Sequence, residues 1–348
     1  MDIARSSIKW IVLTPLLFLA CAAPASAFEG EQTLYEAAKK EKELTWYTAH
    51  YGSETAAAVC NGFEKKYPGI KCNYIRTTAQ VAYQRLAQDQ KAGLAVASVF
   101  SSTDASHYGR LKQDGWLQPY RTKNVAELID AFKPYNDPDD MFVATAAGLV
   151  LITYNTSVVA AKDAPKKWTD LLDPKWKDHV SIGHPSFSGY VGTWVVQMRK
   201  SYGWDYFKKL ELNKPRIGRS INDTVTMLNA KESWVAAGPS ATTLQSKDKG
   251  NPLALVYPED GAILMVSPTG ILKNAPAPNA AKLFEEYLLS RECNEIMVKQ
   301  REESVNKSVK PLPGARSIAE IKTIRPTYEE IDKGIPEVKE LFRDTFGI

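Results

Sequence analysis

The sequence predicts an α/β protein of two lobes, each a mixed sheet flanked by helices, with the second lobe inserted into the first. Three observations lead there. Strands and helices alternate through residues 31–112 at the spacing of βαβ units, which means a parallel sheet. Two later stretches, near residues 143–155 and 254–266, are placed for the chain to cross between lobes. Removing a 27-residue leader from 348 residues leaves 321, a length that suits two domains that each bury a core.

The leader sets the compartment. Arg5 and Lys9 make a short basic start, residues 10–20 are almost entirely apolar, and Ala25-Ser26-Ala27 gives the small-x-small pattern that a signal peptidase cuts. The apolar run is short for a membrane span and leads directly into that site. The mature chain is therefore expected to begin at Phe28, after export. Cys21, behind Phe18-Leu19-Ala20, is the competing signal, a lipoprotein-like box with phenylalanine where leucine is more usual. No later stretch is long and apolar enough to cross a membrane; the nearest, residues 142–154, is short and carries threonine.

A net charge of +4 is mild for this length and lacks the concentrated basic face that nucleic acid would need. Lys39-Lys40-Glu41-Lys42 and Lys166-Lys167 read as solvated surface. Three cysteines follow the leader. Cys60 and Cys72 lie close together in an exported chain, where oxidising conditions favour a bridge, and Cys293 is left over as a small buried apolar residue. There is no CxxC and no Cys/His zinc spacing.

Residues 31–42 read as an amphipathic helix and 44–48 as a strand rich in β-branched and aromatic residues. Residues 54–66 are helical in pattern, with Thr55, Ala58, Val59, Gly62 and Phe63 on one face, and Pro68-Gly69 ends them. A strand at 70–76, a helix at 79–91 closed by Gly93, a strand at 95–100 and a helix at 104–112 complete the alternation. After a polar turn at 136–140, residues 142–155 give two apolar runs meeting at Gly148. Residues 164–176 form a polar, tryptophan-bearing helix-turn region, and a strand at 180–182 leads into a helix at 190–202. Residues 254–257 and 264–266 bracket Pro258-Glu259-Asp260-Gly261. Asn279 is placed to cap a helix whose Ala280, Leu283, Phe284, Tyr287 and Leu288 form an apolar stripe. The tail, 318–346, is expected to pack back on the first lobe. The first lobe is thus expected over 28–145 and 262–348, the second over 146–261, with a ligand in the crevice where strand carboxyl ends meet helix amino ends.

Several segments carry a further signal. They are Leu44-Thr45-Trp46-Tyr47-Thr48 with a helix ending Phe63-Glu64-Lys65-Lys66-Tyr67-Pro68-Gly69-Ile70, and Asp114-Gly115-Trp116-Leu117-Gln118-Pro119-Tyr120. Next come Tyr154-Asn155-Thr156 and the run Trp168-Thr169-Asp170-Leu171-Leu172-Asp173-Pro174-Lys175-Trp176. Ser188-Gly189-Tyr190 with Gly192-Thr193, Tyr257-Pro258-Glu259-Asp260-Gly261, and Lys273-Asn274-Ala275-Pro276 follow. In this order and spacing, from about Leu44 to about Ile296, the chain resembles the iron(III)/thiamine-type extracellular solute-binding proteins of ABC importers, a branch of the type II periplasmic binding-protein fold. The resemblance implies a periplasmic, monomeric protein without a cofactor. Such a protein captures a small solute by lobe closure and delivers it to an ABC permease in the inner membrane. One departure matters. Ferric-binding members hold the metal with a pair of adjacent tyrosines in the second lobe, and the matching stretch here, 235–243, has none. The expected cargo is therefore an organic anion or an anion-bearing iron complex, with a bare ferric ion as the alternative.

The expected contacts lie on loops at strand ends and helix starts, where free N–H groups and hydroxyls suit anions. On the first lobe these are His50 and Tyr51, then Thr78, then Ser101, Ser102 and Thr103, with Ser101 and Asp104 at capping-box spacing. On the second they are Ser188, Gly189 and Tyr190, then Asn222 and Asp223, with Ser220 and Asp223 again at that spacing. The competing reading of each is a simple helix cap; the resemblance favours contact for Ser102, Thr103, Ser188 and Tyr190. His50 is the one histidine expected in the cleft and a possible metal ligand, whereas His107 reads as a helix-face residue. Glu259, between the lobes, is expected to meet an amino or hydroxyl group. Arg76 and Arg219 are the cations able to neutralise an anion. A secreted hydrolase is the rival class, but Gly238-Pro239-Ser240-Ala241-Thr242 lacks the last glycine of a nucleophile elbow and Ser188 lacks the first. No HExxH pair occurs, so the chain reads as a binding protein and not an enzyme.

Overall fold

The computed structural model describes residues 28–348; the expected signal peptide and Cys21 lie outside the described residues. The alternation of the first half forms as α1 (Glu31–Glu41), β1 (Glu43–Thr48), α2 (Ser53–Lys66), β2 (Lys71–Arg76), α3 (Ala79–Lys91), β3 (Val99–Ser101), α4 (Ser106–Gln113) and a short β4 (Leu117–Gln118). β1 lies between β2 and β3, parallel to both. The third strand is shorter than its apolar sequence suggests, because Leu94 and Val96 face solvent in the loop before it. Cys60 on α2 and Cys72 on β2 are joined, with Cα atoms 5.2 Å apart, inside the range a disulfide spans. Cys293 is free and buried.

The chain then enters β5 (Val143–Asn155), in which the two apolar runs meeting at Gly148 form a single strand buried along its whole length. β6 (Val180–Gly183), α5 (Gly189–Tyr202), α6 (Asp205–Glu211), β7 (Arg216–Gly218), α7 (Asp223–Asn229), β8 (Val235–Pro239), α8 (Ser240–Asp248) and β9 (Leu253–Val256) follow. The chain returns along β10 (Ala262–Leu272) to α9 (Pro278–Leu289), α10 (Arg291–Lys299), β11 (Thr323–Ile324) and α11 (Tyr328–Phe346). One curled sheet runs β2-β1-β3-β10-β5-β8-β6-β7. Its centre is the antiparallel pair β5 and β10, and β5 changes partners along its length. Residues Val143 to Val150 face β10, whereas Val150 to Tyr154 face β8. Elements on either side of that change form separate cores. One gathers Trp46, Phe63, Phe284 and Tyr287; the other gathers Trp168, Trp194, Phe207 and Val191.

Two details depart from the sequence reading. The tail helix α11 does not settle on the first core alone. Its stripe of Ile331, Ile335, Val338 and Phe342 is buried with α5 in the second, because the spacing of three and four residues gives it one apolar face that α5 completes. Asn279 is not the cap of α9, which starts at Pro278. Instead the Glu41 carboxylate accepts from the Asn279 and Ala280 backbone N–H groups at 3.1 and 2.8 Å, placing an anion at the positive end of that helix.

Candidate functional site

Leu149, beside the point where β5 changes partners, lines a cavity between the two halves of the molecule. Four helices present their amino-terminal residues to it: α2 through Gly52, α3 through Thr78 and Ala79, α5 through Ser188 and Tyr190, and α8 through Pro239 to Thr242. The turn before the short α7 adds Ser220, Ile221 and Asn222. None of the four helices has a side chain hydrogen-bonded to its first turn as a cap. Their leading N–H groups and partial positive charge are therefore available to a bound group. Hydroxyls of Thr78, Thr103, Ser188, Ser220, Ser240 and Thr242 stand among them. The cavity volume is about 30 Å³, room for roughly two waters.

Three ionisable side chains complete the wall. His50 is buried, and neither ring nitrogen has a hydrogen-bond partner. Burial pulls its pKa down to about 3; the nearby Ala147 carbonyl opposes the fall and the Arg76 charge adds to it. It is thus a neutral ring, offering one N–H and one lone pair, and it packs edge-on against Tyr51 and tilted against Tyr190. Arg76 donates its Nε–H to the Tyr51 carbonyl at 2.7 Å. Burial lowers its pKa, while Glu302 and Asp223 act on it through space and without a hydrogen bond; an arginine remains charged nonetheless. Glu302 accepts from Thr55 Oγ1 at 3.2 Å and is pushed up to about 8, by burial first and by the neighbouring Glu303 second. Glu303 stands just behind. It accepts from Ser240 Oγ at 2.5 Å, its Oε2 has no partner, and burial raises it to about 7.

The structure brings His50, Thr78, Thr103, Ser188, Tyr190 and Asn222 together in this wall. The other expected contacts lie behind it or elsewhere. The Tyr51 hydroxyl points away, to Met297 Sδ at 3.0 Å. Ser101 accepts from Trp46 Nε1 at 2.8 Å and shares a hydrogen bond with Thr269, so its hydroxyl is used in the core. Ser102 accepts from the Asp104 N–H, and Asp104 in turn takes the N–H and hydroxyl of Ser106, where α4 begins; Ser101 and Asp104 are no capping box. His107 lies on the buried face of α4, stacked on Tyr83. Asp223 accepts from the Ser220 N–H at 2.9 Å, and Gly189 packs on the backbone of Thr103 and Asp104. Glu259 sits in an exposed turn beside Lys167, 3.7 Å away, and outside the cavity wall. Arg219 lies over the Phe187 ring.

Sequence reasoning missed residues 239–242 and Glu302; Ser220, noted there at capping-box spacing with Asp223, also lines the wall. The tyrosine-free stretch 235–243 does reach the wall, bringing Ser240 and Thr242. Thr242 donates its hydroxyl to the side-chain Oδ1 of Asn222 at 3.0 Å. Among the described residues no group of three or more His, Cys, Asp or Glu is arranged to hold a metal ion.

Comparison with known proteins matches residues 94–318 to the model of the bacterial extracellular solute-binding proteins. A periplasmic protein of Salmonella typhimurium, provisionally named for binding 2-aminoethylphosphonate, is 22% identical over 288 residues, covering 80% of this chain and 79% of its own. The periplasmic binding protein AfuA of Actinobacillus pleuropneumoniae, solved with fructose-6-phosphate, superposes with a TM-score of 0.79 at 23% identity, over 88% of this chain and 99% of that one. Iron-bound HitA of Pseudomonas aeruginosa superposes with a TM-score of 0.75 at 21% identity, over 87% and 99%. These likenesses establish the two-lobed type II periplasmic binding-protein fold.

Proposed function

Because the chain belongs to the bacterial extracellular solute-binding proteins, the ligand-capturing components of ABC transporters, we propose that its cargo is a small solute bearing a tetrahedral oxyanion, held in the cavity where the four helix amino termini converge. That convergence carries the reading. Uncapped N–H groups and neutral hydroxyls ligate oxyanions well and a bare cation poorly. Arg76 supplies the countercharge. His50, Thr78, Thr103, Ser188, Tyr190 and Asn222 are the contacts from the sequence, and Ser220 joins them; the Ser240 and Thr242 hydroxyls already donate to Glu303 and Asn222, so that stretch offers its backbone N–H groups instead. Tyr51, Ser101, Ser102, Gly189 and Asp223 support the wall without touching the ligand, and Glu259 has no part in it.

Of the ligands named for its relatives, the phosphonate and the sugar phosphate carry such a group, and the iron does not. A cavity of about 30 Å³ admits neither until its walls part. The lobes, 28–145 with 262–327 on one side and 146–261 with the packed tail helix α11 on the other, would open about the crossings near 143–155 and 254–266, and ligand touching both would favour the closed form. In this reading the mature protein starts after Ala27, works in the periplasm as a monomer without a cofactor, catalyses nothing, binds no nucleic acid, and hands its cargo to an inner-membrane permease. Calorimetry of the purified protein with phosphonates, phosphate esters, citrate, ferric citrate and Fe(III) tests it. Micromolar or tighter binding of a phosphonate or phosphate ester is expected. Tight binding of Fe(III) without any co-anion, and of no oxyanion, would overturn it.

A further inference from the structure

The wall of this cavity holds an acid that an anion site has no use for. Glu302 is only 8% exposed and lines the same cavity as the helix amino termini. One of its carboxylate oxygens takes the Thr55 hydroxyl, and the other has no protein donor among the described residues. A glutamine would fill the space without repelling an anion. Beside it, Glu303 ties the amino end of α8 through Ser240 and keeps a second carboxylate oxygen unpartnered. The groups facing Glu302 are Arg76 from β2, Glu303 along the chain, and the uncharged phenols Tyr51 and Tyr190. Arg76 does not neutralise it by contact, since its Nε is spent on the Tyr51 carbonyl and its interaction with Glu302 is through space.

We propose that the cargo is a zwitterion, carrying an ammonium group as well as the oxyanion, and that Glu302 is the specificity-determining residue that receives the ammonium. This rests on the oxyanion reading and narrows it. The oxyanion lies toward the helix amino termini and Arg76, and the ammonium toward Glu302, with Glu303 adding negative potential behind. A short aminoalkyl phosphonate or phosphorylated amine has the right pair of charges; a sugar phosphate lacks the second. Binding also moves a proton. Unliganded Glu302 is largely protonated at neutral pH, because burial holds its pKa at about 8. An arriving ammonium favours the carboxylate, so the proton leaves to solvent.

Ethylphosphonate and 2-aminoethylphosphonate share the anionic group and differ in the amine, so titrating both by calorimetry isolates the second site. Wild-type protein is expected to prefer the amine at least tenfold and, at pH 7, to release close to one proton per ligand across buffers of different ionisation heat. Glu302→Gln is expected to bring the two ligands near parity and to abolish the proton release. Equal binding of the two ligands by wild-type protein sinks the ammonium site while leaving the oxyanion site standing. So does a Glu302→Gln variant that keeps the preference. Binding of neither, with Fe(III) bound alone, removes the oxyanion reading and this inference with it.

Discussion

Gly189 is where the proposed closure can be tested most directly. It is the first residue of α5, and an added Cβ would overlap three backbone atoms of the facing loop: the Thr103 carbonyl carbon and oxygen, and the Asp104 nitrogen. Backbone cannot swing aside as a side chain can, so Gly189→Ala forces helix and loop apart by about 1 Å; overpacking of this kind costs roughly 1–3 kcal/mol. The helix itself is not weakened, since alanine is the better helix former. Thr103 lies on the first lobe and Ser188 on the second, so separating them widens the cavity between. If the contact belongs to the closed form, the whole cost falls on ligand binding, a loss of roughly 5- to 150-fold in Kd. Calorimetry with the tightest phosphonate or phosphate ester reads this, and thermal unfolding of the unliganded variant should stay within about 2 °C of wild type. Two outcomes refute the reasoning. Unchanged affinity with unchanged Tm would mean the two backbones do not meet when ligand is held. A fall in Tm of more than about 5 °C with unchanged affinity would make the contact permanent packing rather than part of closure.

Other expectations follow from single positions. A methyl on Gly148 would overlap the Tyr190 hydroxyl and ring. Gly148→Ala should cost roughly 1–3 kcal/mol in stability and weaken ligand binding, and Tyr190→Phe should recover much of the stability in thermal unfolding of the double variant. The Cys60–Cys72 link closes a short loop, with a sequence separation of 12, so the paired serine variant should lose about 3 kcal/mol in denaturant unfolding, and free-thiol counting of protein produced from Phe28 onward should find Cys293 alone among the described residues. Unliganded stability should fall between pH 6.5 and pH 8. Glu285, Glu302 and Glu303 have folded pKa values of about 8, about 8 and about 7, all above the usual 4.5, so the native state holds protons that the unfolded chain has released. Each such group lowers stability as pH rises, by up to roughly 1.4 kcal/mol per unit. Buried His50 and His107, whose pKa values are lowered below 6.5, act in the opposite direction, but only below that pH. Glu285→Gln should flatten the slope in a Tm-against-pH series, and a Tm that rises from pH 6.5 to 8 would contradict the assignment.

Most of the first half was legible because its signals are local. A strand such as 44–48, a helix stopped by Pro68-Gly69 and a second closed by Gly93 each declare themselves within a dozen residues, and the helices at 53–66 and 79–91 match within a residue at each end. Local signals failed where the third dimension decides. Apolar sequence from Ala95 reads as strand, yet only the last residues of it find β1 to pair with. Gly148 reads as the meeting point of two apolar runs, and the structure makes them one strand, with the glycine leaving room for the Tyr190 side chain. The tail's apolar stripe shows that it packs, but nothing in the stripe says against which core.

The site divides along the same line. Helix starts are written in local sequence, so Thr78, Thr103, Ser188 and Asn222 could be nominated from the chain alone, and they do meet. What local sequence could not say is which hydroxyls remain free. Ser101 and Ser188 look equivalent as residues. The first is consumed by Trp46 and Thr269, while the second caps nothing and faces the cavity. Glu302 is the harder case. In Arg301-Glu302-Glu303 it reads as one more charged surface turn, and Arg301 indeed pairs outward with Asp248. The segment becomes part of the wall only because Glu303 forms an antiparallel bridge with Ala147 in the middle of β5, more than 150 positions earlier in the chain. A carboxylate carried to that place loses its water but gains only one donor. Buried acids of this sort raise the free energy of the empty protein, so the arrangement makes physical sense only if the bound state returns a partner to them. That asymmetry between empty and filled is what a binding protein needs, since only interactions absent from the open form can drive closure.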